Sequence, residues 1–360
     1  MNTIHILHAD GISAAGDTPQ EAVTTFYNAV QPFCIPNHFN YKNLKLGIIR
    51  NLNPLPDQSR AYALLQWICS RLPALSPDTR LYLATTVGAI DILEHAAPDE
   101  KPDCTGLLLQ EAKRLTHCQD AILVAAACAS GQTATAMAMR ALSLGHCKYA
   151  LVIGIDITSE FVTGGFASLR AYSKTIAHPY DANRDGLLLG EGAGALLLSQ
   201  NDDGKSLGEL LSAFESCDAS HITAPDLTGQ TLAALIDRTL TDAQIQPQDV
   251  AAIIGHGTGT TFNDASEIAA LNRVFTTPQP LISIKGNTGH TLGATGVLQI
   301  VYALEFIKHG QLPPQAGLTT PAEGAQGFVS TSPQPLQSNL ILSLNVGFGG
   351  LNSTILLQSK

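Results

Sequence analysis

The stretch AILVAAACASGQTATAMAMRAL, residues 121–142, places one cysteine between a run of apolar residues and a run of small, helix-forming residues. The apolar part predicts a buried strand and the part from Ala129 onward predicts a helix. Cys128 then lies in the turn between them, where free amide donors and the positive end of the helix dipole face it. A buried, inert cysteine is the more common alternative, so a reactive thiol needs support from other residues.

The composition describes a compact globular protein. The chain has 360 residues, of which 45% are hydrophobic and 14% charged, with a formal net charge of −10. Acidic charge without a basic cluster disfavours nucleic-acid binding. No apolar run reaches the roughly 18 residues that a membrane span needs, and the first residues lack the pattern of a secretory signal. We therefore expect a cytoplasmic protein without a membrane span. Its seven scattered cysteines include no CxxC pair, so neither a disulfide framework nor a metal site is expected.

The chain contains an internal repeat. The segment from Ala129 to Gly145 matches the segment from Ala294 to Gly310 at three Ala or Gly positions, with a constant spacing of 165 residues. Both segments predict a helix that ends at a glycine. Each is followed by two apolar runs around a glycine-rich turn, at 186–200 and 340–358, which predicts a strand, a turn and a second strand.

Apolar strands that alternate with helices predict an α/β protein. The acidic stretch 200–208 divides the pattern into an N-terminal half, 1–203, and a C-terminal half, 204–360, packed in one body. In the first half we expect strands near 3–7, 81–86, 121–126 and 149–155 and helices near 19–30, 58–72, 105–115 and 130–144. In the second half we expect helices at 228–240 and 264–275 and strands at 250–254 and 281–284.

Two of the eleven histidines follow predicted strands in glycine-rich loops. His256 lies in IIGHGTGTTFNDASE, and His290 lies in IKGNTGHTLGATG, five residues after Lys285. A single histidine in such a place is more often structural. The repeat, however, puts the Cys128 and His290 loops at equivalent strand ends, where sites of α/β proteins assemble. The glycine loops lack a complete nucleotide-binding motif, which disfavours a nucleotide site.

Five motifs together resemble the β-ketoacyl-acyl carrier protein synthases, condensing enzymes of the thiolase fold. In family order they are AACASG (126–131), PYDANRDGLLLGEGAG (179–194), HGTGTTFNDASE (256–267), KGNTGHTLGATG (285–296) and NVGFGGLN (345–352). The likeness covers nearly the whole chain. It implies a thiolase-like fold in which two pseudo-repeated αβα halves pack as a five-layer αβαβα structure.

The resemblance also implies the catalytic residues. Cys128 would take the acyl chain as a thioester, and His256 and His290 would assist decarboxylation of a malonyl-carrier protein. Lys285 would orient and tune the histidines, and the amides of Cys128 and Phe348 would stabilise the oxyanion. The resulting carbanion would attack the acyl-cysteine and extend the chain by two carbons.

Further positions match supporting and binding residues of the family. Asp264 and Glu267 match acidic positions of a polar support network, Thr258 and Thr260 match contacts to the phosphopantetheine arm, and Phe348 matches the gate residue. No metal or redox cofactor is implied, because the arm belongs to the carrier-protein substrate.

The chain departs from the family between TTVGAIDI (85–92) and Cys128, where it is shorter than usual. That region normally helps to build the acyl pocket and the dimer contact. We therefore expect a specialised synthase of fatty-acid, type II polyketide or aryl-polyene biosynthesis. We also expect a dimer, either a homodimer or a heterodimer with a related ketosynthase-like chain that completes the pocket. An acyl carrier protein is the second expected partner.

Two other functions remain open. A chain-length-factor-like partner subunit would share the motifs, but such subunits often lack the nucleophile, so Cys128 counts against this alternative. A thiol hydrolase could also use cysteine and histidine, but none of the five motifs favours it.

Overall fold

The computed structural model of the protein describes residues 3–36, 44–52, 54, 58–202, 204–219, 221 and 224–359. The β-strands of this part are β1 Ile4–Ser13, β2 Thr79–Ala84, β3 Ala121–Val124, β4 Tyr149–Asp156, β5 Gly192–Ser199, β6 Gly208–Cys217, β7 Ala252–Ile254, β8 Leu281–Ile282, β9 Gln311–Leu312, β10 Gln334–Pro335, β11 Leu340–Gly347 and β12 Leu351–Ser359. Its α-helices are α1 Pro19–Tyr27, α2 Arg60–Ser70, α3 Ile90–Glu94, α4 Cys104–Thr116, α5 Ser130–Ser143, α6 Glu160–Ser168, α7 Gln230–Asp242, α8 Thr261–Val274, α9 Lys285–Thr288 and α10 Thr295–His309.

The main sheet repeats one strand order in the two halves of the chain. From the outer edge of the sheet to its centre, the order is β3-β2-β4-β5-β1 in the first half and β8-β7-β11-β12-β6 in the second. In each half the three outer strands pair in parallel, and the fourth strand pairs antiparallel with the third and with the fifth. A short pairing of β1 with β6 joins the halves. The internal repeat predicted from the glycine spacing is therefore confirmed.

Helices α5 and α10 lie at the centre of the molecule, because each contacts strands of both halves. Alternate strand residues face opposite sides. Val152 and Ile341 pack in the central core, whereas Ile153 packs with α2 and α4, and Leu342 packs with α7 and α8. The central helices thus lie between the strands of the two halves, and further helices cover the outer face of each half. The predicted five-layer α/β arrangement is confirmed.

The two central helices end as their sequences predict. Gly145 and Gly310 follow α5 and α10 with φ values of 70° and 67°, the left-handed conformation that glycine adopts without a steric penalty.

The prediction of two strands within 186–200 is wrong for the first of the two strands. Only β5 forms there, and its antiparallel neighbours are β4 and β1. Residues 186–190 instead pair with other loops, and the bridge from Leu189 to His290 supports the histidine loop. A side chain at Gly190 would place its Cβ 2.1 Å from the carbonyl oxygen of Thr288, so glycine permits this close approach. The second pair forms a hairpin of β11 and β12, as expected.

The boundary at 203/204 stays a prediction. The last strand of the first half ends at Ser199 and the first strand of the second half begins at Gly208. Within the described residues, every helix is too short or too polar to cross a membrane.

Candidate active site

Cys128 lies in a tight turn between β3 and α5. β3 ends at Val124 and α5 begins at Ser130. Ala127 has a φ of 47°, in the left-handed region that non-glycine residues seldom adopt. The Ser130 hydroxyl accepts from the amide of Ala126 at 2.8 Å and donates to the carbonyl of Ala127 at 2.6 Å, which stabilises the turn. This strained turn presents the thiol at the N-terminus of the helix.

The Cys128 thiol is buried, with only 7% of the residue exposed. Burial raises the pKa of Cys128 to about 11, against the opposing effects of Lys285 and of the amides of Phe348 and Cys128. The thiol is therefore neutral at pH 7. These two amides are the predicted oxyanion donors. Gly347 brings the β11–β12 hairpin against this turn, since a Cβ there would lie 3.3 Å from the amide nitrogen of Cys128.

His290 contacts the thiol directly. Its Nε2 lies 3.0 Å from Sγ of Cys128, and its Nδ1 lies 3.2 Å from the amide nitrogen of Leu292, which donates to it. The main-chain amide of His290 donates to the carbonyl of Leu188 at 2.7 Å, so segment 186–190 sets the position of the loop. Burial, with a further effect of Lys285, lowers the pKa of His290 well below its usual value, and the ring is neutral.

His256 faces His290 edge to face, with ring centroids 5.4 Å apart and planes at 86°. Its Nδ1 lies 3.1 Å from Oδ1 of Asn345 and 3.3 Å from Nζ of Lys285. Nζ also donates to the main-chain carbonyl of His256. Burial lowers the pKa of Lys285, and burial together with Lys285 and His290 lowers the pKa of His256 well below its usual value. His256 is therefore also a neutral imidazole at pH 7.

Two buried carboxylates hold the loop that carries His256. Glu267 accepts from the amides of His256, at 2.6 Å, and of the following residue, and from the hydroxyl of Tyr180 at 2.9 Å. Asp264 accepts from the amides of Thr258, at 2.9 Å, and Tyr180, at 2.8 Å. Burial raises the pKa of both carboxyl groups, and amide donors act in the opposite direction. Their position fits the predicted role of support rather than contact with substrate.

A cavity of about 410 Å³ joins the remaining predicted residues. The predicted nucleophile, histidines, threonines and gate residue all line it, namely Cys128, His256, His290, Thr258, Thr260 and Phe348. The two threonine hydroxyls lie 2.8 Å apart. Phe166 of α6 stacks against Phe348 with ring centroids 5.8 Å apart. Among the described residues, no group of three or more His, Cys, Asp or Glu side chains is placed to hold a metal ion.

Sequence reasoning missed three residues behind His256. Tyr180 bonds to both carboxylates, yet it stood in a quoted motif without an assigned role. Asn345 contacts the ring of His256, and Gln299 contacts Asn345. A glutamine in the apolar stretch TGVLQIVYALEF of α10 was the available signal, since a fully buried amide needs partners.

Comparison with known families agrees with this geometry. The model of the β-ketoacyl synthase N-terminal domain matches residues 120–204, and the model of the β-ketoacyl synthase C-terminal domain matches residues 207–319. Together they match more than half of the chain. The protein therefore belongs to the β-ketoacyl synthase family, and the resemblance seen in the motifs is confirmed.

Curated relatives carry the name 3-oxoacyl-(acyl-carrier-protein) synthase 2. That of Synechocystis sp. is 32% identical over 245 residues, which cover 64% of this chain and 59% of the relative. That of Coxiella burnetii is 31% identical over 253 residues, which cover 66% of this chain and 61% of the relative. The matched part of the chain thus spans about three fifths of the length of these relatives.

Solved structures match along the whole chain. The ketosynthase ApeO in complex with its chain length factor ApeC from Xenorhabdus doucetiae gives a TM-score of 0.85 at 25% identity, covering 100% of this chain and 98% of that chain. The ishigamide ketosynthase/chain length factor gives 0.90 at 22% identity, covering 100% of this chain and 99% of that chain. A β-ketoacyl synthase from Burkholderia phymatum gives 0.89 at 20% identity, covering 100% of each chain. The predicted thiolase-like ketosynthase fold is confirmed.

Proposed function

We propose that this protein is a β-ketoacyl synthase, which condenses an acyl thioester with malonyl-carrier protein in a decarboxylative Claisen reaction. The observation that carries the proposal is the contact of 3.0 Å between Sγ of Cys128 and Nε2 of His290, beside a second neutral histidine. A nucleophile and two neutral histidines in one cavity suit acyl transfer followed by chemistry on a thioester enolate.

In the first half-reaction, Cys128 attacks the acyl thioester of the carrier protein. A bond forms between Sγ and the acyl carbon, the bond to the sulfur of the arm breaks, and the thiol proton ends on that departing sulfur. The tetrahedral oxyanion lies against the amides of Cys128 and Phe348, which already face the sulfur. Amide donors of this kind stabilise such an intermediate by about 3–4 kcal/mol each.

In the second half-reaction, a malonyl thioester occupies the cavity beside the acyl-cysteine. Its carbon–carbon bond breaks, CO₂ leaves, and the electron pair passes to the thioester enolate. His256 and His290 face this group, and the lowered pKa values keep both rings neutral. The enolate carbon attacks the acyl-cysteine, the carbon–sulfur bond breaks, and the Cys128 thiolate that leaves takes up a proton from water. Lys285 positions His256 from behind, through its bond to the main-chain carbonyl of that residue.

The carrier-protein arm enters, in this proposal, past Thr258 and Thr260, whose hydroxyls line the cavity. The phosphopantetheine arm belongs to the substrate, and we propose no further cofactor. We place the reaction in the cytoplasm. One matched structure is described as a type II PKS acyl-carrier protein in complex with its ketosynthase, which supports a carrier-protein partner.

We also propose that the protein works as a dimer, and that a related ketosynthase-like chain is the partner. The support is the shortened segment before Cys128, together with matched structures described as a ketosynthase with its chain length factor. Co-expression followed by native mass measurement tests this. A stable, fully active homodimer that ignores such chains would remove the heterodimer proposal, and an active monomer would remove both forms.

The decisive experiment is intact-mass analysis after incubation with an acylated carrier protein. We expect an acyl adduct that is lost in Cys128→Ala and kept in the matched control Cys69→Ala, because Cys69 lies in the separate core around α2 and α4. Addition of malonyl-carrier protein should then release CO₂ and give a product longer by two carbons. An adduct on Cys69 or Cys147 would contradict the proposal. Hydrolysis of the acyl group without elongation would favour a thiol hydrolase, and condensation in which only an added second ketosynthase, and not Cys128, carries the acyl group would favour a partner subunit.

A further inference from the structure

Behind His256 lies a cluster of polar side chains that are all 0% exposed. Its members, here called the amide cluster, come from the two central helices and β11, and they are Gln132, Gln299, Ser343 and Asn345. Leaving one buried amide hydrogen or oxygen without a partner costs roughly 1–3 kcal/mol. The groups around each amide therefore determine which of its ends is the oxygen.

Main-chain carbonyls fix the orientation of Gln299. Its Nε2 lies 2.9 Å from the carbonyl oxygen of Gly255 and 3.2 Å from that of Leu344. Carbonyl oxygens only accept hydrogen bonds, so this end of the side chain is the NH₂ group. Its other end, Oε1, accepts from Ser343 at 3.1 Å and from Nδ2 of Asn345.

The orientation of Gln299 in turn fixes Asn345. Because Nδ2 of Asn345 donates to Gln299, its Oδ1 is the atom that faces Nδ1 of His256 at 3.1 Å. Reversing Asn345 would set its oxygen against the oxygen of Gln299. Since Oδ1 only accepts, Nδ1 of His256 must carry the hydrogen, and Nε2 of a neutral ring then holds a lone pair.

Lys285 is the competing partner for the same nitrogen. Its Nζ lies 3.3 Å from Nδ1 of His256 and would favour a lone pair there. Nζ, however, also donates to the main-chain carbonyl of His256, so its bonding does not depend on Nδ1. The oxygen of Asn345 lies closer to Nδ1 than Nζ does.

The surroundings of His290 favour the other tautomer. The amide of Leu292 donates to its Nδ1 at 3.2 Å, so Nε2 carries the hydrogen and points at Sγ of Cys128. The two histidines therefore differ in the nitrogen that bears hydrogen, although both rings face the same cavity.

We propose that Asn345, oriented by Gln299, is a positioning residue that holds His256 in the Nδ1–H tautomer, so that His256 offers a hydrogen-bond acceptor and His290 a hydrogen-bond donor to the cavity. This deepens the proposed function and rests on it for its catalytic meaning. The family resemblance assigns both histidines the same task, assistance of decarboxylation, whereas the amide cluster makes them different in hydrogen bonding.

The test uses the full-length protein with ¹⁵N-labelled histidine and measures the ring-nitrogen shifts of both residues, assigned with His256→Gln and His290→Gln. A ring nitrogen with a lone pair resonates far downfield of one that bears hydrogen. We expect hydrogen on Nδ1 of His256 and on Nε2 of His290. Hydrogen on Nε2 of His256 in the unaltered protein would overturn the proposal without any variant.

Variants of Asn345 separate tautomer control from a merely structural effect. Asn345→Asp, measured at mildly acidic pH where the buried carboxyl is protonated, can donate to Gln299 and accept from Nδ1, so it should keep the Nδ1–H tautomer. Asn345→Ala leaves Lys285 as the partner of Nδ1 and should move the hydrogen to Nε2. Ser343→Ala is the matched control, since Ser343 bonds to the same oxygen of Gln299, and it should leave the tautomer unchanged.

Activity supplies the second readout. Loss of the group that fixes the tautomer of a catalytic histidine can cost up to about 10⁴-fold in kcat, so Asn345→Ala should lower the rate of malonyl decarboxylation by at least about 10-fold while acyl loading of Cys128 persists. An unchanged tautomer in Asn345→Ala would overturn the proposal. Failure of acyl loading in the unaltered protein would instead contradict the proposed function, and the tautomer measurement would remain valid.

Discussion

The Cys128 loop (125–129) and the His290 loop (283–294) occupy equivalent places in the two halves, yet they are built differently. Each follows a parallel strand and precedes a central helix. The Cys128 loop is short and strained at Ala127, and it can deliver only one side chain at the helix terminus. The His290 loop is longer and includes α9, so it brings Lys285 and His290 to the site. The repeat thus supplies one frame, and loop length decides which chemistry each half contributes.

Asp156, at the end of β4, joins the His290 loop to the first half of the chain. Its carboxylate accepts from the hydroxyl of Thr85 at 2.7 Å and from the amide of Gly293 at 2.7 Å. Gly131, at the start of α5, lets this helix lie close to the His290 loop, since a Cβ at Gly131 would lie 2.8 Å from the carbonyl oxygen of Gly293. The distance between Cys128 and His290 therefore depends on contacts between the halves.

The strongest test of the comparison removes the histidines. His256→Ala and His290→Ala should each lower malonyl decarboxylation by about 10²–10³-fold, the usual loss for a group that acts on a developing oxyanion or its proton. Acyl loading should fall much less, because the amides of Cys128 and Phe348 lie in the Cys128 loop and the β11–β12 hairpin, outside both histidine loops. Separate assays of CO₂ release and acyl adduct measure this. An equal loss of both partial reactions would mean that the histidines only hold the fold.

The buried state of Cys128 predicts a steep pH dependence of its alkylation. With a pKa of about 11, the thiolate fraction rises tenfold per pH unit below that value. The iodoacetamide rate at Cys128 should therefore rise by about 100-fold from pH 7 to pH 9. Peptide mass spectrometry follows the rate, with the exposed Cys217 as a reference in the same sample. Lys285→Met should slow the reaction, since Lys285 lowers this pKa. A rate that is constant over this range would indicate a thiolate already paired with His290.

Close backbone packing between segment 186–190 and the His290 loop predicts a loss of stability when a side chain is added there. Gly190→Ala would force a Cβ against the carbonyl of Thr288, 2.1 Å away, and should destabilise the protein by about 1–3 kcal/mol and displace His290. Gly165→Ala in α6 is the matched control, because nothing lies within 4 Å of its Cβ, and it should stabilise slightly. Urea unfolding gives both values. Equal stability of the two variants would show that segment 186–190 does not fix the loop.

The smallest expected change in stability tests whether the ends of the two repeated helices are equivalent. Gly145→Ala and Gly310→Ala introduce a side chain at φ values of 70° and 67°, each in open space. Each should cost about 1 kcal/mol of unfolding free energy, because only the left-handed conformation is strained. Thermal or urea unfolding compares them directly. Costs that differ by more than that amount would mean that the two helix ends are not equivalent.

Much of the fold followed from local sequence. Gly145 and Gly310 marked the ends of both central helices, and the apolar runs around residues 81, 121, 149 and 281 all became strands. The first apolar run of 186–200 misled because hydrophobicity alone does not distinguish a strand from a buried loop segment. Its glycines serve close contact with the His290 loop, which is a long-range feature.

The sequence by itself determined the family, the repeat and the identity of Cys128, His256, Lys285 and His290 as candidates, because motif order and local periodicity are properties of neighbouring residues. Only the tertiary structure decided their environments. Burial raises the pKa of Cys128, and contacts across the central helices place Gln299 and Asn345 behind His256. Such effects depend on which groups surround a side chain in space, and residues distant along the chain supply those groups.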